Sequence, residues 1–128
     1  MSEPISWSLS AGSASGGGVN ISGKTEADAT TVASLTLAPK MNQAKELAMQ
    51  IGDVSKVELL IISSTINDGS IEIKADGASA IALSGPLVLF GPSVKLFAGD
   101  LDKLTVQNKS QDNDASAVLE ILISRKLQ

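Results

Sequence analysis

The sequence predicts an all-β fold, an antiparallel β-sandwich of about eight to ten short strands wound like a jelly roll, with an immunoglobulin-like sandwich as the alternative. Three observations predict it. Apolar and polar residues alternate with a period of two along most of the chain. Turn signals built from Gly, Pro, Asn and Asp recur roughly every 8–12 residues. No segment carries the long helix that a parallel crossover needs. The 128 residues, 43 % of them hydrophobic, suit a single domain over residues 1–128 with a core of its own.

The first strand is read from Ile5, Trp7 and Leu9 alternating with Ser6, Ser8 and Ser10. Residues 11–18 are Gly-, Ser- and Ala-rich and read as a flexible link, so residues 1–18 form a strand on a pliant arm. Val19 and Ile21 mark a short strand ending at Gly23. Ala33, Leu35 and Leu37 alternate with Ser34 and Thr36, and Pro39 ends that strand. Residues 41–51 fit a helical face and an alternating strand equally well; their strand-like neighbours tip the reading to strand. Residues 57–63 are a nearly continuous aliphatic run, as in a central strand covered on both faces. Turns at Asn67-Asp68-Gly69-Ser70 and Asp76-Gly77 flank Ile71 and Ile73. Ile81 with Leu83, residues 87–90, Leu104 with Val106, and residues 118–123 supply the remaining strands.

Residues 52–59 (Gly-Asp-Val-Ser-Lys-Val-Glu-Leu) echo residues 99–106 (Gly-Asp-Leu-Asp-Lys-Leu-Thr-Val). In each copy the Asp is placed to accept backbone N–H bonds and start one helical turn, with the aliphatics tucked under a sheet. The echo predicts two equivalent hairpins, over 57–75 and 104–124.

Composition removes whole classes of chemistry. There is no Cys, His or Tyr, which excludes disulfides, thiolate or imidazole metal sites, and Ser–His or Cys–His nucleophile pairs. No catalytic, cofactor-binding or metal-ligating residue is therefore expected, and no small-molecule substrate. Net charge is −4, the wrong sign for a protein that neutralises phosphates. Trp7, Phe90 and Phe97 are the only aromatic residues, too few to stack single-stranded nucleic acid or sugars. The opening residues lack the basic and apolar regions of a secretory signal, and the longest apolar runs fall far short of the ~18 residues of a membrane span, so neither export nor a membrane is expected.

Four local patterns invite functional readings. Residues 18–25 match G-x-x-x-x-G-K-[ST] through Gly18, Gly23, Lys24 and Thr25, which would cradle a nucleotide phosphate on backbone N–H groups. The flanks oppose it, because a buried strand should precede the match and a helix follow it. Gly23-Lys24 reads instead as a turn between strands. Asp112-Asn113-Asp114 offers oxygen ligands without the spacing of a calcium loop and reads as a solvated hairpin tip. Asp100 and Asp102 read as turn chemistry rather than a carboxylate pair. Trp7 reads as packing, in the core or at a subunit interface.

The order of these features resembles the small β-rich structural proteins of tailed-bacteriophage virions, which include capsid decoration (cement) proteins. The features are the alternating strand with Trp7, the Gly-rich link into Val19-Asn20-Ile21-Ser22-Gly23, and residues 45–60. They continue with the strand after Gly85-Pro86, then Gly99-Asp100-Leu101-Asp102-Lys103-Leu104-Thr105-Val106-Gln107-Asn108 before a final aliphatic strand. The resemblance implies a homo-oligomer that stabilises a capsid shell through contacts with itself and a major capsid or other virion protein. It implies a virion location after synthesis in the host cytoplasm. A tail, fibre or adhesion module is the alternative, and nucleotide binding through residues 18–25 the remote one. The resemblance brings no functional residues with it. The arm over residues 1–18 is the segment expected to reach a neighbour.

Overall fold

Alternation converts directly into two packed sheets. The computed structural model describes residues 3–49, 51 and 54–127. Strands β1 (Glu3–Gly12) and β2 (Gly18–Ala27) form a hairpin of their own. The chain continues through β3 (Ala29–Leu37), β4 (Lys45–Ala48), β5 (Val57–Ser64), β6 (Ile71–Ala75), β7 (Ile81–Ala82), β8 (Leu87–Phe90), β9 (Lys103–Asn108) and β10 (Ala117–Arg125). These make two four-stranded antiparallel sheets, in the orders β3-β10-β5-β8 and β4-β9-β6-β7.

The pairing is a folded ribbon rolled up. From β3 onward the first strand pairs with the last, the second with the next-to-last, and so inward: β3–β10, β4–β9, β5–β8, β6–β7. Rolling then brings β10 against β5 and β9 against β6. That winding is the jelly roll, and the chain forms the all-β sandwich its alternation predicts. Among the described residues of 41–51, Lys45–Ala48 form the strand β4 and none is helical.

The predicted hairpins over 57–75 and 104–124 do not form. β5 and β6 lie in opposite sheets, and so do β9 and β10. Both segments are arches that cross from one sheet to the other. A turn signal says that the chain reverses; it does not say whether the next strand bonds to the last or faces it across the core.

The echo has a structural counterpart nonetheless. Gly52 and Asp53 lie outside the described residues. Val54, Val57, Leu101 and Leu104 are all buried, as their frame predicts. Val54 N–H donates to Gly99 O at 3.3 Å, so the two copies are neighbours. Residues 54–56 form one 3-10 turn. In the second copy Asp100 Oδ1 accepts Asp102 N–H at 2.7 Å without a helical turn.

The core is aliphatic. Leu60, Ile62, Leu119, Ile121 and Ile123 of one sheet face Ile71, Ile73, Leu104 and Val106 of the other. A 3-10 helix over Gly91–Leu96 and the loop after it add Val94, Phe97 and Leu101. Gly91-Pro92 carries only a turn signal in the sequence, which gives no sign of this packing.

One buried polar group ties the layers together. The Asn108 amide is fully enclosed; Nδ2 donates to Leu37 O at 3.1 Å and to Ala115 O at 2.7 Å, and Oδ1 accepts Ser110 N–H at 3.1 Å. It therefore links the ends of β3 and β9 to the approach to β10. Asn108→Leu would keep the volume and strand both carbonyls. We expect it to cost about 2–4 kcal/mol, read as a lower urea midpoint with an unchanged slope.

Candidate docking site: the projecting hairpin

The β1–β2 hairpin is one continuous ladder. Its register runs from Glu3 opposite Ala27 to Gly12 opposite Gly18. The Gly/Ser stretch is thus the tight end of a hairpin and not a loose link. Ser13 N–H donates to Gly17 O at 3.1 Å, and Ser13 Oγ donates to Gly16 O at 2.8 Å. Gly16 and Gly17 sit at φ 101° and 83°, a region other residues enter only at a cost.

The base of the arm lies on the outer face of the first sheet. Registers place Thr30, Ser124, Leu59 and Phe90 in one row across β3, β10, β5 and β8. The row faces away from the core, yet Ser124 is 0 % and Leu59 1 % exposed. The arm is the cover. Asp28 N–H donates to Arg125 O at 2.9 Å where β2 hands over to β3. Five residues earlier, at Gly23, the arm has reached the far edge, where Trp7 meets Phe90 with ring centroids 4.6 Å apart and planes tilted by 53°. Five residues of strand span ~17 Å, enough to cover the ~14 Å of three inter-strand steps. The arm therefore crosses the sheet.

Trp7 explains Gly23. The two are cross-strand partners, and the indole lies over the glycine. A Cβ on Gly23 would stand 2.6 Å from Trp7 Cζ2. Position 23 needs the missing side chain and not a turn conformation. The reading of Gly23-Lys24 as a turn is thus corrected: both are mid-strand, and β2 runs on to Ala27.

The same register disposes of the phosphate-loop match. Residues 18–25 are extended and paired with β1 throughout. Backbone N–H groups in a strand alternate in direction and cannot converge on one phosphate. Lys24 points to the exposed face, opposite Trp7 and Gly23. The other patterns are turns. Asp112 Oδ1 accepts Asp114 N–H at 3.0 Å, on an arch between sheets and not at a hairpin tip. Asp68 Oδ1 accepts the N–H and hydroxyl of Ser70, which holds its carboxyl below the usual range.

Beyond Trp7 the arm overhangs edge strand β8. Its next apolar positions share the face of Ile5 and Trp7, but nothing covers them. Leu9 is 40 %, Ile21 49 % and Val19 57 % exposed. One strip thus begins as packing on Leu59 and Phe90 and ends as open aliphatic surface. The sequence marked Trp7 and the arm. It gave no signal for Ser124, whose place beneath the arm follows only from the β10 register. No protein family, curated protein or solved structure matches this chain.

The lone tryptophan reports directly on whether the arm is seated. Gly23→Val should displace the indole, shift its emission to the red, and move the unfolding midpoint of the jelly roll only slightly. An unshifted spectrum would contradict the packing described.

Proposed function

We propose that this chain is a non-enzymatic structural protein that docks on other proteins through the overhanging end of its β1–β2 arm. The setting proposed is the one its sequence resembles: decoration and stabilisation of a tailed-phage capsid shell, as a homo-oligomer. The observation that carries the docking part is the aliphatic strip of Leu9, Val19 and Ile21, exposed on one face of a tethered hairpin. Its distal half has the same chemistry as the half that already covers a sheet face. Burying such side chains favours association by ~25 cal/mol per Å² of apolar surface. Contacts that repeat over a shell add through multivalency.

The jelly roll agrees with this setting as an analogy only, since capsid and lectin domains both use it. The decoration reading rests on the sequence resemblance.

Shell binding tests it. Leu9→Asp combined with Ile21→Asp leaves Trp7 and the arm base in place. It should weaken retention on capsid shells by about tenfold or more, the equivalent of ~1.4 kcal/mol. Lys24→Ala should leave retention unchanged, and Mg-ATP should not raise the melting temperature. Undiminished retention of the double variant would overturn the arm as the docking element.

A further inference from the structure

The open edge of β3 is a second interaction surface, on the opposite side of the sheet from the overhang. Thr65 N–H donates to Val118 O at 3.1 Å, continuing the β10–β5 ladder. Residues of one parity in a strand direct both backbone groups to the same neighbour. Even-numbered residues of β10 therefore bond to β5, and odd-numbered ones to β3. By the β3–β10 register their β3 partners are Thr31, Ala33, Leu35 and Leu37. The N–H and C=O groups of Thr30, Val32, Ser34 and Thr36 consequently point out of the sheet, where no described strand pairs with them.

This edge lacks every usual protection. β3 is nine residues long with no charge and no proline. The other three edges of the two four-stranded sheets are guarded by shortness or charge: β7 has two residues, β8 has four and is followed by Gly91-Pro92, and β4 has four and carries Lys45 and Glu46. Long, uncharged, unpaired edges are templates for another strand. The core also opens on this side. Ala33 and Leu35 of β3, with Met41, Leu47 and Met49 on the β4 side, are only half-buried. Val32 is 64 % exposed on the outer face.

We propose that the β3 edge pairs antiparallel with the β3 edge of a second copy, about a two-fold axis at Ala33. The strand itself selects a second copy as occupant. Its outward-bonding residues read Thr30, Val32, Ser34, Thr36, nearly a palindrome about Ala33, the midpoint of β3. In that register Thr30 faces Thr36 and Val32 faces Ser34, each twice. Threonine opposite threonine is a favourable cross-strand pair. All four outward residues are used, closing about eight backbone hydrogen bonds. Ala33 meets its own copy at the close, non-hydrogen-bonded spacing, where a small side chain fits. The two first sheets become one sheet of eight strands, and the half-buried rims of the two cores meet.

This proposal goes beyond the docking arm and fails separately from it. Sedimentation equilibrium at micromolar concentration should give twice the chain mass. Ser34→Pro deletes an N–H that bonds nothing within the chain, so the circular dichroism should persist while the mass falls to one chain. Val32→Lys should do the same by placing a charge on the edge. The chain has no cysteine, so Ala33→Cys offers a clean cross-link and should oxidise to a covalent dimer, whereas Val118→Cys should not. A monomeric native protein, or a dimer that survives both Ser34→Pro and Val32→Lys, would overturn the proposal. So would a dimer abolished by Leu9→Asp with Ile21→Asp, since the copies would then join through their arms. Loss of shell retention in a variant that remains dimeric bears on the arm alone.

Discussion

The register of β10 between β3 and β5 is the constraint on which the rest depends. Leu119, Ile121 and Ile123 are fully buried in the core, and the residues between them face outward. A slip of one residue would exchange the faces. Glu120 would enter the aliphatic core, and a buried unpaired carboxylate costs several kcal/mol. The same register sets Ser124 beneath the arm, with its hydroxyl 3.1 Å from Thr30 Oγ1. It also decides which backbone groups of β3 turn outward. Core, arm seat and free edge follow from one alignment.

The two outer faces differ in kind. The second sheet presents Glu46, Glu72, Lys74, Lys103 and Thr105, with Lys109 Nζ 3.0 Å from Glu72 and Lys103 Nζ 3.9 Å from Glu46. Exposed pairs of this sort add little stability; they keep a face wet. The first sheet presents Val32, Ile61, Leu122 and Val88 beside the row that the arm covers. Apolar surface, arm and open edge all belong to this sheet, whereas the charged pairs at Glu46 and Glu72 belong to the other.

Alternation made the sandwich legible, because burying one face of a strand imposes a period of two whatever the topology. Strand positions from β3 to β10 could be read for that reason. Connectivity between sheets could not. Leu59 and Leu60 look alike in the sequence, yet one meets the arm and the other the core. Gly23 shows the limit most clearly. A glycine beside a lysine suggests a turn, but its cause is the indole of Trp7, 16 residues away and opposite it across the hairpin. The arches fail for a related reason: local turn chemistry is silent on which sheet receives the next strand. The sequence showed residues 1–18 as a strand with a Gly/Ser-rich stretch, but not that β2 pairs back along that strand as far as Ala27. The arm's form as a paired hairpin depends on Gly16 and Gly17 closing the turn, which the composition of residues 11–18 shows only as flexibility.

The arm and the β3 edge lie on opposite margins of the same sheet, and this has a geometric consequence if both are used. An antiparallel pair is related by a two-fold axis normal to the sheet, so both copies turn the same face the same way. The arms then lie on one side of the joined sheet, at its two far edges. Eight strands at ~4.8 Å spacing put those edges roughly 35 Å apart. A single arm presents three aliphatic side chains, too few for tight binding by itself. Two arms fixed on one rigid sheet convert the second contact into an intramolecular event, with an effective concentration set by that span and not by diffusion. Dimerisation would then set the affinity of the arms, because a surface whose sites repeat at the same span would hold the dimer while releasing the single chain.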